Sequence, residues 1–332
     1  VNFQPGEFAK IALALFFASY LADNRELIAA GTRRIGPLRI PELRYVLPVT
    51  LAWAFAVAVM VAEKDLGSAL LFFTLFTVMM WVATERAIYL VLGLVIFSGA
   101  AYIAWRMFEV VQTRVDIWLD PWSQYEGKGY QPAQAMFAFA NGGTAGTGLG
   151  LGNPSKIPAA STDYVFAAIG EEMGLIGATA VIIAFLLLLG AGLRVAVRAD
   201  RPFEKLLATG LTTIISMQAF IIIGGVLRLV PLTGITLPFV SYGGSSLLAN
   251  YILLALLLRI SDSGARRRGE TPDELTISER MEARSLRRAE RKAAFQAEPV
   301  EEERDADELG ADAKEVRQDE RAMLDPEDDA LL

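Results

Sequence analysis

The apolar residues of this chain fall in long blocks of membrane-spanning length, about 20 residues each. Short polar stretches separate them. Seven blocks stand out: Phe8–Leu21, Tyr45–Ala62, Leu66–Ala83, Ala87–Phe108, Met173–Leu193, Leu206–Leu227 and Phe239–Ile260. The pattern predicts an all-α, polytopic transmembrane protein with seven spans. The first block is short and contains Lys10, so a preceding turn or tilt must complete its length. One segment breaks the series. Residues 109–172 are rich in Gly, Trp, Tyr and Gln and read as one large loop, of a length that is usually functional or disordered. The apolar patch "AMFAFA" (Ala135–Ala140) within it predicts partial burial, as a re-entrant or interfacial helix.

Charge orients the spans. Arg25, Arg33, Arg34, Arg39 and Arg44 lie between the first two blocks, and Arg86 in a later turn. Arg194, Arg198, Arg201 and Lys205 lie between blocks five and six, and Arg259 and Arg266–Arg268 follow block seven. With seven spans these places share one side, which the positive-inside bias makes cytoplasmic. The large loop is then extracytoplasmic and the tail cytoplasmic. Residues 1–262 form the membrane-embedded core and residues 263–332 the tail. The net charge of −7 belongs to the tail: the core has 18 Lys/Arg and 17 Asp/Glu (+1), the tail 13 and 21 (−8). Within it, residues 277–295 predict a basic helix lying on anionic lipid. The acidic remainder reads as disordered.

The chain has no Cys and no His. Disulfides, thiolate nucleophiles, His/Cys zinc sites and a Ser-His-Asp triad are excluded. Acid–base chemistry falls to Asp, Glu, Lys, Arg or Tyr, and any metal would be a hard cation held by oxygen. The stretch "GGTAGTGLGLGNPSK" does not match the spacing of a phosphate-binding loop, and no strand precedes it. Its glycines suit a sharp bend against another segment or a ligand, and its free N–H groups would suit an anion. No nucleotide, haem or nucleic acid is expected.

The stretch "STDYVFAAIGEEMG" sets Asp163 eight residues before Glu171 and Glu172, at the mouth of an apolar block. Asp163 or Thr162 could cap the next helix. A carboxylate embedded at a membrane is equally a candidate for function. Glu171 and Glu172 gain only roughly 0.3–1 kcal/mol from a helix N-terminus, too little to hold charge in hydrocarbon, so a polar cavity or partner is expected beside them. Were 163–172 helical, Asp163 and Glu171 would share a face. "LVPLTGITLPFVSYGGSSLLANY" combines Pro and Gly with apolar residues, as irregular backbone does where it lines a cavity or where small residues pack helices.

Several of these stretches together resemble the SEDS family (shape, elongation, division and sporulation proteins). They are "FQPGEFAKIAL" (Phe3–Leu13), "KDLGSALL" (Lys64–Leu71), "RVDIWLDPW", "GYQPAQAMFAFANGGTAGTGLG", "IPAASTDYVFAAIGEEMG" and "LPFVSYGGSSLLAN", in family order over about residues 1–262. Thr233 in "PLTG" points to the elongation (RodA-like) subtype over the division (FtsW-like) subtype. The family has ten spans, so three are expected to precede Val1. Ser161 replaces the family His, and the upstream Glu is replaced within "PAAS".

The resemblance implies a peptidoglycan glycosyltransferase that polymerises lipid II into β-1,4 glycan with inversion, in the bacterial inner membrane. It implies a class B penicillin-binding protein as partner, beside other elongation and division machinery. It implies Asp163 as the catalytic position, either general base or ligand of Mg²⁺ or Mn²⁺. Lys156, Arg114 and Arg228 are candidate pyrophosphate contacts, with Lys64 and Lys128 the other outer cations. Glu171 and Glu172 would shape the cavity, and Asp65, Ser241 and Gly243 are candidate substrate contacts within the matching motifs. Two other classes stay open: a transporter or flippase of the lipid-linked precursor, and a non-catalytic scaffold for the transpeptidase.

Overall fold

A computed structural model describes residues 4–30, 33–35, 38–40, 43–269 and 284–293. The chain divides into two units, Val1–Glu270 and Thr271–Leu332. The first unit carries α1 (Pro5–Ala30), α2 (Leu43–Ala62), α3 (Leu66–Thr84), α4 (Ile88–Met107), α5 (Glu109–Leu119), α6 (Tyr130–Gly142), α7 (Val165–Arg198), α8 (Pro202–Val226) and α9 (Gly244–Arg267). A three-residue antiparallel hairpin, β1 (Arg33–Ile35) with β2 (Leu38–Ile40), joins α1 to α2. In the second unit residues 284–293 form α10. The other residues of the predicted basic tail helix, and the acidic remainder read as disordered, lie outside the described residues.

Seven helices, all but α5, α6 and α10, are long and apolar enough to cross a membrane among the described residues. All seven predicted spans are therefore present, and their ends differ for identifiable reasons. α1 starts at Pro5, where a fixed φ suits the first helical turn. It runs to Ala30 because "ADNRELIAA" is made largely of good helix formers, although its hydropathy falls. α7 begins before the Glu pair and bends at Gly174, whose φ is 66°. α9 begins at Gly244, not Phe239, since Phe239 stands at φ 65° in the preceding turn.

α8 is the central post. It is the most buried of the seven long apolar helices, and it packs against α7, α1, α3 and α9. A helix apolar on all sides belongs inside a bundle. Small residues let its neighbours close in: a Cβ on Gly192 of α7 would collide with Thr212 of α8, the small-residue packing usual between membrane helices. Lys10 lies inside this bundle, 1% exposed. Its Nζ meets Glu7 Oε2 at 2.6 Å, Gln218 Oε1 at 3.0 Å and Asn250 Oδ1 at 3.4 Å. The charge in the first span is thus neutralised by α1 itself and solvated by α8 and α9.

Ion pairs tie helix ends together. Arg25 pairs with Glu85 at 2.5 Å, bringing the ends of α1 and α3 together. Arg267 pairs with Glu204, and with Asp200 at 3.8 Å. These contacts join the end of α9 to the α7–α8 turn.

The large loop is substantially helical. α6 buries Ala133, Ala135 and Ala138 and packs along α7, while Phe137 and Ala140 stay exposed, so the "AMFAFA" patch is partly buried, as expected. The glycine-rich stretch after it wraps the start of α7. Thr147 and Gly148 N donate to the carbonyls of Glu171 and Glu172, and Leu175 and Ile176 N donate to those of Gly143 and Thr144. A Cβ on Gly146 or Gly174 would strike the other segment. The glycines therefore serve close backbone approach, and the N–H groups of Gly146, Thr147 and Gly148 are used inside the protein and not free for an anion.

Candidate active site

Glu109, Thr113, Arg114, Ile117 and Trp118 recur on α5 at spacings of about one helical turn, so they share a face. That face lines a cleft of about 620 Å³. The start of α6 with Lys128, Tyr130 and Gln131, the turn Pro158–Tyr164, and the irregular segment from Arg228 to Gly234 close the rest.

Asp163 sits in the turn before α7. The helix boundary is at Tyr164 and no side chain caps it, so the helix-cap reading of Asp163 does not hold. Its turn is fixed from a distance of nearly 80 residues. Ser241 is 2% exposed. Its Oγ donates to the Thr162 carbonyl at 2.6 Å and accepts from Leu237 N at 2.9 Å. Tyr242 N donates to the Ser161 carbonyl at 2.8 Å. The "LPFVSYGG" segment thus holds the backbone immediately before the carboxylate.

Arg114 faces the same carboxylate. Its Nη1 donates to the Thr233 carbonyl at 2.9 Å. A Cβ on Gly234, at φ 79°, would stand 3.7 Å from both Arg114 Nη2 and Asp163 Oδ2. Gly234 therefore lets the chain turn close beneath both charges. Burial pushes the Asp163 carboxyl above the usual carboxylate range, and a hydrogen bond from Thr162 and the Arg114 charge oppose that rise only in part. Burial, reinforced by Asp163, also pushes the neighbouring Tyr164 phenol up, so it stays protonated.

Arg228 builds the cleft as well as lining it. Its Nη2 donates to the carbonyls of Trp118 at 2.6 Å and Leu119 at 3.1 Å. These carbonyls end α5 and lack helical partners. Trp118 Nε1 returns a bond to the Arg228 carbonyl at 2.8 Å.

Other predicted residues stand elsewhere. Lys156 is exposed and outside the cleft lining. Lys64 lines a smaller hollow of about 200 Å³ that shares Glu109 and Val110 with the main cleft. Asp65 caps α3, accepting from Ser68 N at 3.0 Å and Ser68 Oγ at 2.7 Å. Gly243 ends the turn before α9. Glu171 is buried against the glycine-rich stretch, and Glu172 beside it also lies outside the cleft lining. Residues 163–164 are not helical, so the shared face expected for Asp163 and Glu171 does not form. The sequence reading missed Glu109, Thr113 and Trp118, because it took α5 for loop, and Tyr130 and Gln131 at the start of α6. The turn-by-turn recurrence at 109, 113–114 and 117–118 was the available signal.

No group of three or more carboxylates gathers among the described residues. Mg²⁺ needs only one or two carboxylates when phosphates and water supply the rest. Asp163 and Glu109 are the two carboxylates that line the cleft.

A bundle of seven long apolar helices with a charged cleft beside their ends defines a polytopic helical membrane protein. Residues 1–265 match the FtsW/RodA/SpoVE family, described as cell cycle protein, and the chain belongs to it. This is the SEDS family. The chain is 48% identical over 266 residues to the peptidoglycan glycosyltransferase RodA of Mycobacterium tuberculosis H37Rv, covering 80% of this chain and 56% of that protein. It is 46% identical over 262 residues to that of Mycobacterium leprae, covering 79% and 56%. The probable peptidoglycan glycosyltransferase FtsW of Geobacter metallireducens is 35% identical over 263 residues, covering 78% and 67%. The higher likeness is to RodA, as Thr233 suggested. The chain spans about half the length of the mycobacterial relatives.

Among solved structures, one described as a peptidoglycan synthase complex that coordinates polymerization and crosslinking matches with TM-score 0.62 and 28% identity, over 79% of this chain and 70% of that chain. The rod shape determining protein RodA of Thermus thermophilus matches with TM-score 0.50 and 25% identity, over 79% and 66%.

Proposed function

We propose that this chain carries the reaction centre of a peptidoglycan glycosyltransferase of the elongation type, with lipid II as substrate. The half-buried carboxylate of Asp163, facing a cleft beside Arg114, carries the reading. The acceptor sugar hydroxyl attacks the anomeric carbon of the donor, the α-linked pyrophosphate departs, and a β-1,4 bond forms with inversion. Asp163 takes the proton of the attacking hydroxyl, and its raised basicity suits that role at neutral pH. Arg114, Lys128 and Arg228 supply positive charge to the same cleft, where a departing pyrophosphate needs it. A divalent cation held by Asp163 and Glu109 would neutralise the pyrophosphate. The polyprenyl tail would lie along the apolar helix faces, so substrate arrives from the lipid.

The Arg-rich helix ends, through the positive-inside bias, support a cleft on the extracytoplasmic side and a tail in the cytoplasm. The partner in this reading is a class B penicillin-binding protein, beside other elongation and division machinery; the likeness to a synthase complex that coordinates polymerization and crosslinking supports a crosslinking partner. A flippase reading would need charge along a route through the membrane. Lys10, the cation within the first span, is enclosed by Glu7, Gln218 and Asn250, which favours the enzyme.

The test is lipid II polymerisation by the full-length protein with its transpeptidase, the latter silenced by a β-lactam. Native protein should make glycan strands, and Asp163→Asn should make none while still folding and binding the partner. Equal strand synthesis by both would remove Asp163 from the chemistry. Failure of both to make strands would favour the flippase or scaffold.

A further inference from the structure

α10 presents one sign of charge along one side. Arg284, Arg287, Arg288, Arg291 and Lys292 are all exposed. At 3.6 residues per turn they fall within an arc of about 140° that runs the length of the helix. Glu290 lies outside that arc. The opposite side holds Leu286, Ala289 and Ala293, with Ser285 and Glu290 at its edges, too little apolar surface to insert into a bilayer. Such a helix binds by charge, and what it complements is an extended anionic plane.

The chain supplies a plane of that kind. Residues 4–267 carry seven membrane-spanning helices, and α9 ends in Arg266 and Arg267 followed by Arg268. Fifteen residues, 269–283, separate Arg268 from Arg284. Whatever their conformation, they cannot place α10 more than about 55 Å from the end of α9. The bilayer surface is therefore held at high local concentration, and each cation near it contributes on the order of a five-fold factor in binding.

We propose that α10 docks by its basic arc on the anionic headgroups of the membrane that the chain itself spans, lying on the surface without inserting. The competing occupant is the chain's own segment 298–332, with 15 acids against four cations. The bilayer is favoured because its headgroup plane can meet the whole basic arc at once, whereas the segment brings four cations that oppose the arc.

The chain contains no cysteine, so Ala289→Cys in the full chain gives one labelling site. The protein would be placed in bilayer discs of phosphatidylcholine alone, or with about 30% phosphatidylglycerol, each containing headgroup-spin-labelled lipid. Quenching of a fluorophore at 289 should be several-fold stronger in the anionic discs. It should vanish near 0.5 M salt, where the Debye length shrinks to roughly 4 Å. It should also vanish when Arg284, Arg287, Arg288 and Arg291 are all changed to Gln, which keeps helix propensity. Leu286→Ala should leave it unchanged. Equal quenching in both discs overturns the proposal. So does quenching that emerges only when the chain is ended at residue 297, since the acidic segment would then be the occupant. None of these readings depends on glycosyltransfer.

Discussion

Two polar sites in this protein use similar groups to opposite ends. Around Lys10, charge is fully enclosed: Glu7, Gln218 and Asn250 all lie within reach of one ammonium, and each is buried. Around Asp163, charge is only partly answered. A hydrogen bond from Thr162 and the charge of Arg114 do not offset the cost of burial, so the carboxyl is held above its usual range. A buried charge with partners on every side has nothing left to offer a substrate. A half-buried charge facing a cleft retains reactivity, because the fold has left its solvation incomplete. The first site secures the bundle; the second is where chemistry is possible.

The sharpest way to break this contrast is Asp163→Asn. Polymerisation should fall by about 10²–10⁴-fold, as for loss of a general base. Stability should move the other way. A carboxyl whose folded pKa is raised contributes stability that is fully present below its unfolded pKa and is lost as pH rises through the folded value. At neutral pH native Asp163 is therefore a small liability, and the Asn variant should unfold at an equal or slightly higher temperature. A variant that loses both activity and fold would place Asp163 with the structural cluster.

Lys10→Met should do the converse. It strands Glu7 inside the bundle, a loss of about 3–5 kcal/mol in unfolding experiments in detergent. Pairing it with Glu7→Gln should restore much of that loss, because the second change removes the uncompensated charge. Additive losses in the double variant would mean that the two residues are not one unit.

Arg114→Gln probes the middle of the range. It removes a charge that opposes the upward shift of Asp163 and a bond to the Thr233 carbonyl. Activity should fall on the order of ten-fold, the loss of one charge-assisted bond. In the pH profile, polymerisation by the native protein should decline as pH falls through the raised pKa of Asp163, since the base must be ionised. In Arg114→Gln that acid limb should lie at higher pH. An unmoved limb would separate Arg114 from Asp163.

The contrast also explains what the sequence disclosed. All seven spans were legible because hydrocarbon demands about 20 apolar residues per crossing, a pattern insensitive to detail. Asp163 was legible because a carboxylate beside an apolar block is costly and needs a reason. The positioning role of Ser241 was not, since nothing local links it to Thr162, 79 residues away. α5 was hidden for another reason. Its mix of Thr, Gln, Asp and Trp has neither the apolarity of a span nor a buried stripe, and among its residues none is buried. Glu171 was misjudged on spacing: eight residues share a face only if the helix is continuous, and α7 starts after Asp163.

The smallest expected effect is the most discriminating for the limits of the site. Of the five cations weighed for the outer side, distance in sequence favours Lys156, seven residues before Asp163. The fold favours Lys128, which lines the cleft with its Nζ 3.4 Å from Thr113 Oγ1 on α5. Lys156 is exposed on a short 3-10 turn outside that lining. A solvated charge there is screened beyond about 10 Å in ordinary buffer. Lys156→Gln should therefore change polymerisation by no more than about two-fold, the usual range for a surface position. Lys128→Gln should cost more, and its effect should weaken as salt is raised, because Lys128 is itself exposed on the rim. If Lys156 proved the costlier of the two, substrate would have to extend past the turn at Pro158, and the cleft bounded by α5 would be only part of the surface that holds it.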